Sequence, residues 1–173
     1  MVNWPILLNS ALVCGVVLSV VLTAIMIISA AIAPDMWVGD YPPDVKERFG
    51  PMSPRAARIR PFVAVFVFGA TFAVPIIGLY LLSLNAGPIG VFPALAFSVI
   101  VLLVFNAFDL LVLDWLLFCT IQPRVMVLPG TEGMAGYRDY RFHFIGFLKG
   151  LVFCSAGGLV VASIWLVVQI LLT

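Results

Sequence analysis

Asp109 and Asp114 are the residues whose type and position best suit chemistry, because each puts a carboxyl group into an otherwise apolar run. Of the seventeen Asp, Glu, Lys and Arg side chains, the other fifteen fall in two windows, Asp35 to Arg60 and Arg124 to Lys149. An ionisable group among apolar residues is costly to desolvate, so it is either paired or used. His143, the single histidine, offers an imidazole of the kind that performs acid–base work beside carboxylates, and Glu132 and Asp139 are further carboxylates that folding could bring to it. Asn106 stands one helical turn before Asp109 and would complete a polar site for a proton, a cation or a lipid head.

The plainer expectation is favoured. Both aspartates would pair with loop cations such as Arg60, Arg124 or Lys149 and pin the loops to the rest of the protein. A lone histidine in an aromatic segment is more often a hydrogen-bonded surface residue than a general base. Catalytic residues therefore stay unassigned, with Asp109, Asp114 and His143 as candidates. No metal site is expected, since there is one histidine and no Cys-x-x-Cys. Cys14, Cys119 and Cys154 are read as buried free thiols, because their number is odd and no two lie close in sequence. No cofactor is expected.

The elements that must position these residues are membrane helices. With 64% hydrophobic and 10% charged residues, the chain lies far from the soluble average of about 25% charged. A net charge of +1 gives no reason to expect a nucleic-acid partner, which requires many clustered cations. Four apolar stretches, about 5–33, 62–84, 91–118 and 150–172, reach the roughly 20 residues that a hydrocarbon core of about 30 Å demands. The first lacks a basic leader and is too long for a signal peptide, so it is read as a retained span.

Residues 34–61 and 119–149 form the charged loops and hold all nine Lys and Arg residues. The positive-inside rule places both in the cytoplasm with the two chain ends outside, and Trp4, Trp37, Tyr41 and Trp115 suit the interfaces. The fold expected is thus all-α, a polytopic four-helix membrane bundle forming one transmembrane domain over 1–173. If the third helix begins near Pro93, a rise of about 1.5 Å per residue puts Asp109 about 24 Å in and Asp114 about 31 Å in, close to the cytoplasmic boundary.

Small residues suggest how the helices pack. Gly146, Gly150, Cys154, Gly158 and Ala162 recur at i+4 in the fourth span, and Ala11, Gly15, Ser19 and Thr23 do so in the first. Such stripes let backbones approach closely, and an antiparallel contact between the first and fourth spans is expected, with use between chains as the alternative. Pro75 should kink the second span. Ser53 and Pro54 have the form of a helix start, and the Arg55, Arg58 and Arg60 that follow would lie against anionic lipid heads. Residues 136–149 alternate aromatic and charged side chains and are read as a short interfacial helix before the fourth span.

Leu128-Pro129-Gly130-Thr131-Glu132-Gly133, then Asp139-Tyr140-Arg141-Phe142-His143-Phe144, follow Asp109 and Asp114-Trp115, and Asp40-Tyr41-Pro42-Pro43 precedes them. In these segments the chain resembles a group of small bacterial four-helix inner-membrane proteins with no established activity. The resemblance implies a bacterial inner membrane and a multi-pass topology, and transfers no catalytic residue.

The function expected is that of a non-enzymatic accessory, scaffolding or lipid-binding membrane component. Its partners would be membrane lipids, anionic phospholipid among them, and a second copy or a partner subunit. A membrane-embedded enzyme acting on a lipid or amphiphile at the cytoplasmic boundary is the alternative, and a small oligomeric transporter is the next. An open polar pocket joining Asp109 to His143 would favour chemistry, direct Asp–Arg pairs without a cavity would favour scaffolding, and a transporter would need a polar path beyond Asp109.

Overall fold

Asn3 accepts a hydrogen bond from the Ile6 amide and Pro5 occupies the first turn, so α1 starts at Trp4 and runs to Ile32. The computed structural model describes residues 3–172; Met1, Val2 and Thr173, the ends of the expected 1–173 unit, lie outside the described residues. A 3-10 turn over Pro34–Asp40 leads into the short α2, Pro43–Phe49. Ser53 then caps α3, Pro54–Ala86, by accepting the Ala56 amide at 3.2 Å. The helix start expected at Ser53 is therefore present, but the helix passes Pro61 and Pro75 and continues as the second span.

Helix α4, Val91–Phe108, continues from Asp109 to Ile121 as a π-helix, and α5 runs from Tyr140 to Leu172. Two 3-10 turns, Arg124–Met126 and Ala135–Arg138, lie between them. Residues 136–149 do not form a separate interfacial helix. Asp139 accepts the Phe142 amide at 2.9 Å and starts α5 there, and Gly146 and Gly150 do not interrupt it.

Four helices, Trp4–Ile32, Pro54–Ala86, Val91–Ile121 and Tyr140–Leu171, are long and apolar enough to cross a membrane. Large apolar side chains such as Val20, Phe62, Phe66, Val152 and Phe153 stand exposed on them. In water that surface would be unfavourable, whereas against lipid it costs nothing, so the exterior fits a multi-pass membrane protein.

The bundle is built around α4. Gly15 of α1 faces Val101 and Val104, so close that a Cβ there would stand 2.6 Å from the Val104 Cβ. On α5, Gly158 faces Val99, and Cys154 donates its thiol to the Leu102 carbonyl at 3.4 Å. At about 100° per residue, Val101 and Val104 lie about half a turn around α4 from Val99 and Leu102.

The two stripes therefore do not meet each other. α1 packs mainly on α3 and α4, and α5 mainly on α4. A glycine stripe is a groove, and here each groove takes the branched side chains of α4 instead of a second groove. Gly78 of α3 closes the opposite side, against the Phe97 ring and the Cys14 thiol.

Contacts along the helices give their directions. Trp4 stacks edge-on with Phe92, and Met26 faces the same cavity as Asp109, so α1 and α4 run parallel. Val99 with Gly158, Asn106 with Phe147 and Trp115 with Tyr140 make α5 antiparallel to α4. Both charged loops lie at one end, where Asp44 accepts the Gly136 amide at 2.9 Å and the Tyr41 hydroxyl donates to the Met126 carbonyl at 2.9 Å. At the other end, Gln169 of α5 accepts the Ile89 amide at 2.7 Å and holds the turn between α3 and α4.

Candidate functional site

A cavity of about 580 Å³ lies at the loop end, partly open, between α1, the 3-10 turn Pro34–Asp40, the π-helix and the first turns of α5. Its existence follows from the packing just described. Because α1 and α5 sit on opposite sides of α4 and do not close on each other, Met26 and Ala30 of α1 face Gly146 and Phe153 of α5 across open space. No side chain of α3 lines it.

Winding brings the carboxylates together. In an α-helix, residues five apart are separated by about 140°. A π-helix bonds residue i to i+5, so Asp109 and Asp114 fall one above the other. The wider repeat is visible where the Gln122 amide bonds to the Leu117 carbonyl at 2.7 Å and the Thr120 hydroxyl to the Trp115 carbonyl at 2.7 Å. Asp109, Leu113, Asp114 and Phe118 consequently all face the cavity.

Asp114 holds His143, with Oδ1 2.9 Å from Nδ1. The imidazole is 6% exposed, lies edge-on to Phe118 at 4.8 Å between centroids, and leaves Nε2 buried without a hydrogen-bond partner. A carboxylate on Nδ1 fixes the tautomer that makes Nε2 the proton-accepting nitrogen. The pairs expected between the aspartates and Arg60, Arg124 or Lys149 are not formed: among the described residues the close side-chain contact of this region is His143–Asp114, and Asp109 has no hydrogen-bond or ion-pair partner. Arg55, Arg58 and Arg60 on the first turns of α3 do not line the cavity, although Arg60 acts on Asp40 by charge, and Lys149 stands exposed at the rim.

Several residues enter the cavity that the sequence suggested only as interfacial aromatics or loop positions. Trp37 is fixed by donating Nε1 to the Ser29 hydroxyl at 3.0 Å, and Tyr41 by its bond to Met126. Asp40 reaches the cavity from the end of the 3-10 turn. Much of its side chain faces the open space, yet protein surrounds that space. Burial there pushes its carboxyl above the ordinary range, against the pull of Arg60 and Lys46 and with a further push from Asp114. The Tyr41 hydroxyl is likewise pushed up by burial, then by Tyr137 and Asp40. The signal for Asp40 in the sequence was only its place beside Tyr41-Pro42-Pro43.

Glu132 and Asp139 are not in the cavity. Glu132 lies at an exposed loop tip and takes the Gly130 amide at 3.1 Å, and hydrogen bonds from its own amide and that of Gly130 hold its carboxyl low. Asp139 caps α5. Arg55, Arg58 and Arg60 are exposed on the first two turns of α3, outside the cavity. Of the small residues, Gly146 and Gly150 line the cavity while Cys154, Gly158 and Ala162 continue along α5; Ala11, Gly15 and Ser19 are buried along α1 with Thr23 a turn further on. Among the described residues no three His, Cys, Asp or Glu side chains are grouped to hold a metal ion.

The arrangement can orient an imidazole, accept protons or hydrogen bonds, and enclose hydrocarbon between aromatic walls. Beyond Asn106 the buried hydroxyls are turned back on their own helices, Ser98 to the Ala94 carbonyl and Ser19 to the Gly15 carbonyl, each at 2.8 Å. No family model matches the chain, and no curated protein or solved structure matches it.

Proposed function

We propose that this protein is an amphiphile-binding component of a membrane, which takes its ligand into the cavity beneath the charged loops. The observation that carries this reading is the cavity itself, whose apolar and aromatic wall is interrupted by Asp40, Asn106, Asp109 and the Asp114–His143 pair. A volume of about 580 Å³ suits a small amphiphile or one chain and head of a lipid. The membrane proposed is a bacterial inner membrane, with the loops in the cytoplasm and the chain ends outside. The gathering of all nine Lys and Arg residues in or next to the two loops supports that orientation. Arg55, Arg58 and Arg60 would touch anionic phospholipid heads, and the exposed apolar faces leave room for a second copy or a partner subunit.

A second reading makes the same site catalytic, a membrane-embedded enzyme acting on the bound amphiphile. Support for it comes from the oriented imidazole of His143, with Asp114 on Nδ1. A transporter is the least supported, because beyond Asn106 the buried hydroxyls of Ser98 and Ser19 are turned back on their own helices.

Gly146 provides the test, since a Cβ built on it meets nothing within 4 Å and the residue faces the cavity. Gly146→Trp should fill the space without disturbing the helices. Native mass spectrometry of protein released from membranes should find an amphiphile retained by the parent protein and at least tenfold depleted in the variant. Equal retention by both would place any bound amphiphile outside the cavity and end this reading.

A further inference from the structure

Most of the unmatched polar atoms of the cavity are acceptors, the exceptions being the second N–H of Asn106 and the Lys149 ammonium at the rim. Asn106 donates Nδ2 to the Phe147 carbonyl at 3.2 Å, which leaves Oδ1 as an acceptor without a partner among the described residues. Asp40 and Asp109 are carboxylates without a hydrogen bond or ion pair among those residues. His143, donating Nδ1 to Asp114, leaves a buried Nε2 without a partner, an acceptor when the ring is neutral. The donors nearby are already engaged, Trp37 with Ser29 and Tyr41 with Met126. Lys149 stands at the rim, Lys46 and Arg60 act on Asp40, and His143 holds Asp114, so among the described residues the cavity carboxylate left without a Lys or Arg is Asp109.

Charge and ring chemistry agree. Asp40, Asp109 and Asp114 face the cavity; Lys149 stands at the rim, and Lys46 and Arg60 act on Asp40. Phe142 in the wall already accepts a cation on its ring, the Lys46 ammonium 5.9 Å from the centroid, and Phe118 and Phe147 present further rings to the same space. A hydroxyl head could give one hydrogen bond where an ammonium gives three and would leave the carboxylate charge uncompensated, and an anion would be repelled by the carboxylates.

We infer that the cavity takes an amphiphile with a primary ammonium head, whose N–H groups meet Asp109, Asn106 and the Asp114–His143 pair while its hydrocarbon lies toward Met26 and Phe153. The inference rests on the amphiphile-binding reading above and names its ligand class. Two sources carry that head, a bilayer lipid with a phosphoethanolamine group and a free long-chain amine. In the first case Lys149 would face the phosphate.

The experiment compares probes of one chain length, dodecylamine, dodecyltrimethylammonium, dodecanol and dodecyl phosphate, added to the full-length protein in phosphatidylcholine nanodiscs. Retention is read by native mass spectrometry against Gly146→Trp as the background. Dodecylamine should be retained at least tenfold above the other three, and Asp109→Asn should lose that preference. Equal retention of dodecanol or of the trimethylammonium probe would overturn the ammonium assignment and leave the cavity reading standing. Retention of every probe at the level of Gly146→Trp would overturn both. If phosphatidylethanolamine nanodiscs displace dodecylamine and phosphatidylglycerol nanodiscs do not, the assignment holds and the lipid is the source; if neither displaces it, the assignment holds and a free amine is the source. The probe series on the unaltered chain decides the matter even if Asp109→Asn fails to fold.

Discussion

Asp35 and Asp109 show two fates of a carboxylate in one small protein. Asp35, 8% exposed, accepts the Ser53 amide at 2.6 Å and so ties the 3-10 turn to the start of α3. Burial raises its carboxyl, but the Ser53 amide and hydroxyl, its own amide and the Arg55 charge outweigh burial and hold it below the ordinary value. The folded state therefore binds this proton more weakly than the unfolded state. Its stabilisation is fully present above the ordinary carboxylate pKa near 4 and is lost as pH falls through the lower folded value. Asp35→Ala should cost about 1.5–3 kcal/mol at neutral pH, as expected for a hydrogen bond to a charged group. Thermal unfolding in detergent should show that difference between parent and variant shrinking toward acid; a difference that grows would contradict the role given to Asp35.

Asp109 has no such partner, and the sequence alone could not distinguish the two cases. It gave Asp109 and Asp114 as isolated carboxylates near the loop boundary, and their positions suggested cations from the loops. His143 replaced those cations because α5 begins at Asp139 and runs antiparallel to α4, which sets residue 143 beside residue 114. That pairing depends on the register of two helices, and no local pattern encodes it.

At the scale of elements, hydropathy and small residues were informative but incomplete. The four apolar runs marked the helices, and Ser53-Pro54 marked a start. The stripes announced close approach without saying to which helix. Their partner is α4, whose Val99, Val101 and Val104 fill the grooves. The π-helix from Asp109 to Ile121 had no signal at all, since Asp-Leu-Leu-Val-Leu-Asp-Trp is as compatible with α winding.

The stripe of α5 is divided in use, and substitution should reveal it. A Cβ on Gly158 would stand 2.5 Å from the Val99 Cγ2 and 2.9 Å from the Val99 amide nitrogen, which is backbone and cannot turn aside. Gly158→Ala should destabilise by about 1–3 kcal/mol, the usual cost of overpacking. Gly146→Ala, in open space on the same helix, should leave stability unchanged or raise it by up to about 1 kcal/mol. Thermal midpoints in one detergent would check the contrast, and equal midpoints would refute the packing of α5 on α4.

For the whole molecule, the charge pattern foretold the grouping of both loops at one end, and the hydrogen bonds of Asp44 and Tyr41 across them are its physical form. The cavity beneath was not legible. It arises from a contact that is not made, between α1 and α5, and sequence patterns report contacts that are favourable more readily than spaces left between them. The proposed function requires that space to be occupied by an amphiphile. Labelling with a long-chain amphiphile that carries a photoreactive diazirine, followed by mapping of adducts by peptide mass spectrometry, tests it most directly. Saturable adducts at Met26, Phe147 and Phe153, which face the cavity, are expected. Adducts confined to outward-facing positions such as Val20 and Phe66, rising in proportion to probe without saturation, would contradict it.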